Sequence, residues 1–132
     1  MAVLVVDDSK ISLRLMQGLL KDLGYSKIEL CENLTEAKNR LGTTEIDLVL
    51  SDLNLSGGTG IDLLKHIRSI PRLEKVPFVM ITSDRDKRPI MEAARIGIQT
   101  YIFKPVQKDV LKAKLYDIAE KWGIQPPSEA MG

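Results

Sequence analysis

Cysteine, histidine and long apolar runs are scarce in this chain of 132 residues. One cysteine, Cys31, cannot form an internal disulfide, which is typical of a reducing compartment. One histidine, His66, cannot build a zinc site. No stretch approaches the ~20 apolar residues of a membrane-spanning helix, and the N-terminus lacks the basic leader of a signal peptide. These absences predict a soluble, cytoplasmic protein.

Neither positive nor negative charge is in large excess. The net charge is +1, so the strong positive potential of nucleic-acid-binding domains is missing. The composition is 44% apolar and 28% charged, close to that of ordinary soluble domains. The length suits one domain with a proper core, which we place at residues 1–122. Residues 123–132 are expected to form a solvated tail or the start of a linker.

Short apolar runs recur along the chain. Four are continuous, and a weaker one at residues 28–31 alternates with polar residues. Continuous runs predict strands that are buried on both faces of a parallel sheet, whereas alternation predicts an edge strand. The continuous runs are residues 3–6, 47–50, 78–81 and 101–103.

Apolar residues at helical spacing lie between these runs. Strand and helix therefore alternate five times, which predicts an α/β fold with an open parallel sheet and right-handed crossovers. Each stripe precedes a glycine or proline that is expected to end its helix. The stripes are Ile11, Leu15, Leu19 and Leu23 before Gly24; Leu34, Ala37 and Leu41 before Gly42; Ile61, Leu64 and Ile67 before Pro71; Ile90, Met91 and Ala94 before Gly97; and Leu111, Leu115, Ile118 and Trp122 before Gly123.

Polar residues stand at the ends of four predicted strands. Asp7 and Asp8 follow the first strand, Asp52 ends the third, Thr82 ends the fourth and Lys104 follows the fifth. Open α/β sheets bind ligands beyond the carboxyl ends of their strands. We therefore expect three carboxylates, a hydroxyl and an ammonium to converge on one edge of the sheet.

This set of groups suits phosphoryl transfer to a carboxylate. Clustered carboxylates repel one another and usually hold a cation, and hard oxygen ligands favour Mg²⁺ over zinc. A carboxylate can attack phosphorus to give an aspartyl phosphate. Mg²⁺ and a lysine would neutralise the transferring group, while a hydroxyl would donate to one of its oxygens.

Four motifs in this order resemble the CheY-like receiver domain of two-component response regulators. They are VLVVDDS at residues 3–9, DLVLSDLN at 47–54, ITS at 81–83 and YIFKP at 101–105. The resemblance covers residues 2–122. It implies a flavodoxin-like, doubly wound (βα)5 three-layer sandwich, with a five-stranded parallel sheet in the order 2-1-3-4-5.

The resemblance also implies roles for individual residues. Asp52 matches the phosphorylated aspartate, and Asp8 matches the acid that binds Mg²⁺ directly. Asp7 matches the acid that reaches the metal through water, and Asn54 the residue whose carbonyl completes the metal site.

Three further residues match the switching machinery of the family. Thr82 matches the hydroxyl that moves onto the phosphoryl group, and Lys104 the lysine that pairs with it. Tyr101 matches the aromatic side chain that turns inward when the threonine moves. The peptide bond between Lys104 and Pro105 matches the cis peptide of the family.

As a receiver, the protein would be a regulatory phospho-acceptor rather than an enzyme, with at most self-phosphorylation and self-dephosphorylation. Its partners would be a histidine kinase or histidine phosphotransfer protein, and a downstream effector protein or output domain. A homodimer could form after phosphorylation. Neither direct contact with nucleic acid nor membrane association is expected.

The loop after Asp52 departs from the family pattern. Where the family has a Met-Pro pair and then Met-Asp-Gly, this chain has Leu-Ser-Gly-Gly-Thr-Gly at residues 55–60. Loss of the proline and gain of glycine predict a more mobile loop beside the site.

Three other functions remain open from the sequence. A Mg²⁺-dependent phosphatase would use a similar aspartate, although such enzymes usually carry Asp-x-Asp where this chain reads Asp7-Asp8-Ser9. A degenerate receiver would act only as a protein-interaction module, which the altered loop keeps possible. A flavin-binding module fits least, because no Ser/Thr- and Gly-rich phosphate loop follows the first strand.

Overall fold

The computed structural model of the chain describes residues 1–129, so residues 130–132 of the predicted tail lie outside the described residues. Among the described residues, no helix has the length and apolar character needed to cross a membrane. The strands are β1 (Ala2–Val6), β2 (Lys27–Cys31), β3 (Leu48–Asp52), β4 (Asn54–Leu55), β5 (Gly58–Thr59), β6 (Phe78–Thr82) and β7 (Thr100–Phe103). The helices are α1 (Lys10–Asp22), α2 (Leu34–Thr43), α3 (Gly60–Ser69), α4 (Lys87–Ile96) and α5 (Lys108–Trp122).

The main sheet has the predicted topology. Within residues 1–129 it contains five parallel strands in the order β2-β1-β3-β6-β7, and β4 pairs with β5 in a separate antiparallel hairpin. Without the hairpin strands, the order is the 2-1-3-4-5 of the flavodoxin-like arrangement. β2 lies at an edge, as its alternating pattern predicted.

Apolar side chains from both faces of the sheet feed two cores in the described part of the chain. Val3 and Val5 pack in the core that includes α1 and α5, whereas Leu4 and Val6 pack in the core that includes α2 and α3. Successive strand residues point to opposite faces, so the continuous runs of β1, β3 and β6 serve both cores. The run at residues 101–103 was wrongly predicted to be buried on both faces, because β7 lies at the other edge of the sheet and only Ile102 is buried. The prediction of a three-layer sandwich is confirmed.

The face by which α1 packs on the sheet differs from the predicted one. Its buried residues are Leu13, Met16 and Leu20, whereas Ile11 is 74% exposed and Leu15 is 66% exposed. Both sets have helical spacing, so periodicity alone could not choose between them. The predicted stripe was wrong at Ile11 and Leu15, which are apolar side chains on the surface.

Smaller corrections concern the other helices. α4 buries Ala93 and leaves both Met91 and Ala94 exposed, so the predicted stripe was wrong at these two residues. α2 continues through Gly42 to Thr43. The stripes of α2, α3 and α5 are otherwise buried as predicted, except that Trp122 lies partly in solvent.

The segment after α5 returns to the domain instead of extending into solvent. The Ser128 N–H donates to the Leu23 carbonyl at 2.8 Å, and the buried Tyr25 hydroxyl donates to the Gln125 carbonyl at 2.9 Å. Pro127 is buried. Gly24, with φ of +91°, lies so close that an added Cβ would be 2.6 Å from the Ser128 carbonyl oxygen. Residues 125–128 therefore pack on the turn between α1 and β2.

Ending the chain at Gly123 should lower the free energy of unfolding by about 1–3 kcal/mol, because the buried Tyr25 hydroxyl loses its acceptor. Urea denaturation measures this.

Gly24→Ala should also destabilise the full chain, since its Cβ meets Ser128 and its backbone is left-handed. The matched control is Gly18→Ala, in open space on α1, which should stabilise by up to about 1 kcal/mol. Equal stability of the truncated and full chains would contradict this docking.

Tyr25 should also make stability depend on pH. Burial raises its pKa to about 12 and the neighbouring Tyr116 adds to the shift, whereas the ordinary value is 10.0. The folded state holds the phenol proton more tightly, so this contribution is complete below pH 10.0 and falls as pH rises towards about 12. Urea unfolding across this range should show the decline, and Tyr25→Phe should reduce its slope. An unchanged slope in Tyr25→Phe would assign the decline to other groups.

Candidate functional site

Four of the predicted site residues meet at the carboxyl ends of β1, β3 and β7. The carboxylates of Asp7, Asp8 and Asp52 each offer an oxygen, and these oxygens lie within 4.8 Å of one another. The Lys104 ammonium lies between two of these acids, 2.8 Å from Asp7 Oδ2 and 2.9 Å from Asp52 Oδ2. The parallel sheet produces this convergence, since its strands end at one edge.

The acids differ in their exposure to solvent. Asp7 is buried and accepts a hydrogen bond from the Ser9 N–H at 2.9 Å, whereas Asp8 is exposed. Asp52 is partly buried, and its Oδ1 accepts from the Asn54 N–H at 3.3 Å. The acidic cluster therefore opens towards solvent on the side of Asp8.

Lys104 is the positive charge at the centre of the cluster. Its partial burial lowers its pKa, but its hydrogen bonds to Asp7 and Asp52, and the charges of these carboxylates, outweigh that effect. The net result is a pKa above the ordinary lysine value, so the ammonium stays charged at neutral pH.

The remaining predicted residues lie around this cluster. Thr82 is fully buried at the end of β6, and its Oγ1 accepts from the Asp84 N–H at 2.9 Å. Tyr101 is 40% exposed, and the peptide bond between Lys104 and Pro105 is cis.

Residues 3–116 match the family model described as the response regulator receiver domain. The chain belongs to this family. It is a CheY-like receiver domain of two-component systems and therefore a regulatory phospho-acceptor.

Individual relatives agree with this assignment. The receiver domain is 36% identical over 121 residues to the chemotaxis protein CheY of Pseudomonas aeruginosa, a match that covers 92% of this chain and 98% of the relative. It is 38% identical over 121 residues to CheY-3 of Vibrio cholerae, covering 92% and 93% of the two chains.

Solved structures give the same result. A two-component response regulator from Clostridium difficile superposes with a TM-score of 0.84 at 27% identity, covering 94% of this chain and 99% of that one. CheY4 of Vibrio cholerae superposes with a TM-score of 0.81 at 27% identity, covering 89% and 98%.

The loop after the phospho-acceptor strand has a defined conformation in this receiver domain. β4 and β5 pair across a turn in which Gly57 has a φ of +83°. The Ser56 carbonyl accepts from the Leu34 N–H at 3.3 Å, which ties the hairpin to the start of α2. Thr59 then caps α3 in a capping box with Asp62. Gly57 thus supplies a turn conformation that favours glycine, and the greater mobility of this loop stays a prediction.

Two residues of the site were missed in the sequence. Gly60 begins α3 against β3, and a Cβ there would collide with the Asp52 carbonyl oxygen and lie 2.8 Å from the Met80 sulfur. Ser9 caps α1 by accepting the Ser12 N–H and donates its own N–H to Asp7. Ser9 could have been found from its position before a helix, whereas the close packing at Gly60 leaves no signal beyond the glycine itself.

Replacing Lys104 with methionine should destabilise the receiver domain. Asp7 and Asp52 would lose the cation that both contact, so we expect the free energy of unfolding to fall by about 1.5–3 kcal/mol. Urea denaturation with a chelator present measures this.

The matched control is Lys121→Met, which removes an exposed ion pair with Asp117 and should change stability by less than about 1 kcal/mol. If both substitutions lowered the free energy of unfolding equally, the contacts of Lys104 with the two acids would do no more than offset the cost of burying its charge.

Proposed function

We propose that Asp52 accepts a phosphoryl group from a phosphohistidine of a partner protein. The observation that carries the proposal is the position of the Lys104 ammonium, within 3 Å of both Asp7 and Asp52 in a cluster that also contains Asp8. This cluster supplies a nucleophile, a fixed positive charge and oxygen ligands for a cation at one place.

The residues present fit a magnesium ion. Asp8, Asp52 and the Asn54 carbonyl would hold it directly, and Asp7 would hold it through water. All of these donors are hard oxygens, and the three carboxylates approach one another within 4.8 Å. When bound, Mg²⁺ neutralises the charge of the transferring phosphoryl group.

Each of the chain's own residues then has a separate role in phosphoryl transfer and in switching. An Asp52 carboxylate oxygen forms a bond to phosphorus as the bond from phosphorus to the donor imidazole nitrogen breaks, and that nitrogen keeps the electron pair. Lys104 pairs with the new negative charge. The Thr82 hydroxyl donates to a phosphoryl oxygen, and Tyr101 turns inward into the space that Thr82 leaves. Phosphorylation in this way shifts a pre-existing equilibrium between two surfaces.

The phosphoryl donor would be a histidine kinase or histidine phosphotransfer protein that docks beside α1. A groove of about 740 Å³ runs from Asp52 and Lys104 along α1 and includes Leu15 in its lining. Ile11 and Leu15 add exposed apolar surface on the same helix. Together they offer a partner an apolar contact next to the nucleophile.

The surface around Tyr101 would change on phosphorylation and would then bind a downstream effector protein or an output domain. The phosphorylated protein could also form a homodimer. Self-phosphorylation from small phosphodonors and self-dephosphorylation by water belong to the same proposal. So does a cytoplasmic location, where the kinase would meet the domain. The receiver fold itself would span residues 1–122, and residues 123–129 would belong to the same folded unit as an extension that packs back on it.

The direct test is incubation with phosphoramidate and Mg²⁺, followed by intact-mass measurement. The wild-type protein should gain the mass of one phosphoryl group, labile to hydroxylamine, and a chelator should prevent the gain. Asp52→Asn should abolish it, because the amide cannot form the acyl phosphate. The matched control is Asp47→Asn, which changes an acid just before β3, at the far end of the same strand, and should leave phosphorylation intact.

Two outcomes would contradict the proposal. Label that persists in Asp52→Asn would place the acceptor elsewhere. A wild-type protein that gains no label and shows no NMR shifts with Mg²⁺ and beryllofluoride would be a degenerate receiver, acting through protein contacts alone.

A further inference from the structure

Arg85 stacks on an aromatic ring beside the site. Its guanidinium carbon lies 4.1 Å from the centroid of the Phe103 ring. Arg85 belongs to residues 83–86, a segment that connects β6 to α4, whereas Phe103 is the last residue of β7. The contact therefore joins a connecting segment to a strand of the sheet.

Both ends of this contact adjoin site residues. Thr82 directly precedes the connecting segment, and Lys104 directly follows Phe103. Thr82 and Phe103 are partners in the register of β6 and β7, and the Lys104 N–H donates to the Thr82 carbonyl at 2.9 Å. The Arg85–Phe103 contact thus spans the two strand ends that supply the hydroxyl and the ammonium of the site.

Local hydrogen bonds give the connecting segment a fixed path. The Asp84 N–H donates to the Thr82 hydroxyl at 2.9 Å, and the Asp86 N–H donates to Asp84 Oδ1 at 2.9 Å. Asp86 in turn caps α4 by accepting the Arg88 N–H at 3.0 Å. A displacement of Thr82 is therefore passed along the segment to Arg85 and to the start of α4.

The ring under Arg85 also contacts Tyr101. The Phe103 and Tyr101 rings meet edge to face, with centroids 5.5 Å apart and planes at 74°. The Lys114 ammonium lies 5.9 Å from the Tyr101 ring. The two neighbouring rings therefore have a cation at each end, Arg85 over Phe103 and Lys114 over Tyr101, and a cation is attracted by the face of an aromatic ring.

We propose that Arg85 is a positioning residue whose contact with Phe103 holds the connecting segment in its unphosphorylated arrangement and so opposes switching. This proposal rests on the proposed function of Asp52. A phosphoryl group on Asp52 adds negative charge that attracts the Thr82 hydroxyl and the Lys104 ammonium. When Thr82 moves, the segment moves with it and the Arg85–Phe103 contact is lost. Losing the contact costs free energy, so it makes the change to the phosphorylated arrangement less favourable.

The test compares Arg85→Ala with wild type by NMR titration of beryllofluoride at fixed Mg²⁺. Arg85→Ala should bind beryllofluoride about two- to five-fold more tightly, the range that corresponds to a cation–π contact at an exposed site. The matched control is Arg88→Ala, which removes the same charge from the first turn of α4, where Arg88 contacts Asp86. It should bind as wild type does. Arg85→Lys keeps the charge without the planar group and should fall between Arg85→Ala and wild type.

A second measurement needs no phosphoryl analogue. In the unliganded protein, Arg85→Ala should shift the ring resonances of Phe103 and Tyr101 and increase microsecond-to-millisecond exchange at the amides of residues 83–85. Arg88→Ala, which loses only its contact with Asp86, should leave the ring resonances unchanged. This readout decides the inference even if wild type fails to bind beryllofluoride, an outcome that would contradict the proposed function by itself.

Three results would overturn the role of Arg85. One is unchanged or weaker beryllofluoride binding in Arg85→Ala while wild type binds through Asp52. Another is equal tightening in Arg88→Ala, which would assign the effect to charge alone. The third is an unliganded Arg85→Ala protein whose ring shifts and amide exchange match those of wild type.

Discussion

The repulsion among three neighbouring carboxylates is the constraint on which the site depends. Asp7 is buried and Asp52 is partly buried, so water screens their charges less than it would on an open surface. Lys104 contacts both acids, yet one ammonium does not balance the three carboxylates of the cluster. The excess negative charge favours a divalent cation, and the proposed metal site follows from the acids themselves.

The sequence predicted the sheet and its active edge because both depend on local rules. A continuous apolar run marks a strand buried on two faces, and the polar residue after it must lie at the carboxyl edge. Asp7, Asp52 and Lys104 could therefore be placed together without a structure. The choice of helix face was beyond such rules, because Leu13 and Leu15 on α1 are equally apolar and only packing against the sheet distinguishes them.

Contacts between distant segments were likewise hidden from the sequence. Arg85 and Phe103 are unremarkable in composition and periodicity, and their stacking depends on how the segment after β6 crosses the end of β7. The structural roles of the glycines after Asp52 were hidden from the sequence for a related reason. Gly57 suits a turn with positive φ and Gly60 permits close approach to the Asp52 carbonyl, so both serve defined geometry.

The two sides of the site differ in a way that bears on how a phosphoryl donor approaches. On one side, the hairpin of β4 and β5 is joined to the start of α2, because the Ser56 carbonyl accepts from the Leu34 N–H. On the other, a groove extends from Asp52 and Lys104 along α1, past Leu15. Under the proposed function a protein donor would have to bring its phosphorus in line with an Asp52 oxygen, and the groove along α1 offers space for that approach. Leu15 lines this groove and Ile11 is exposed on the same helix, so under the proposed function a docking donor protein would bury both apolar side chains.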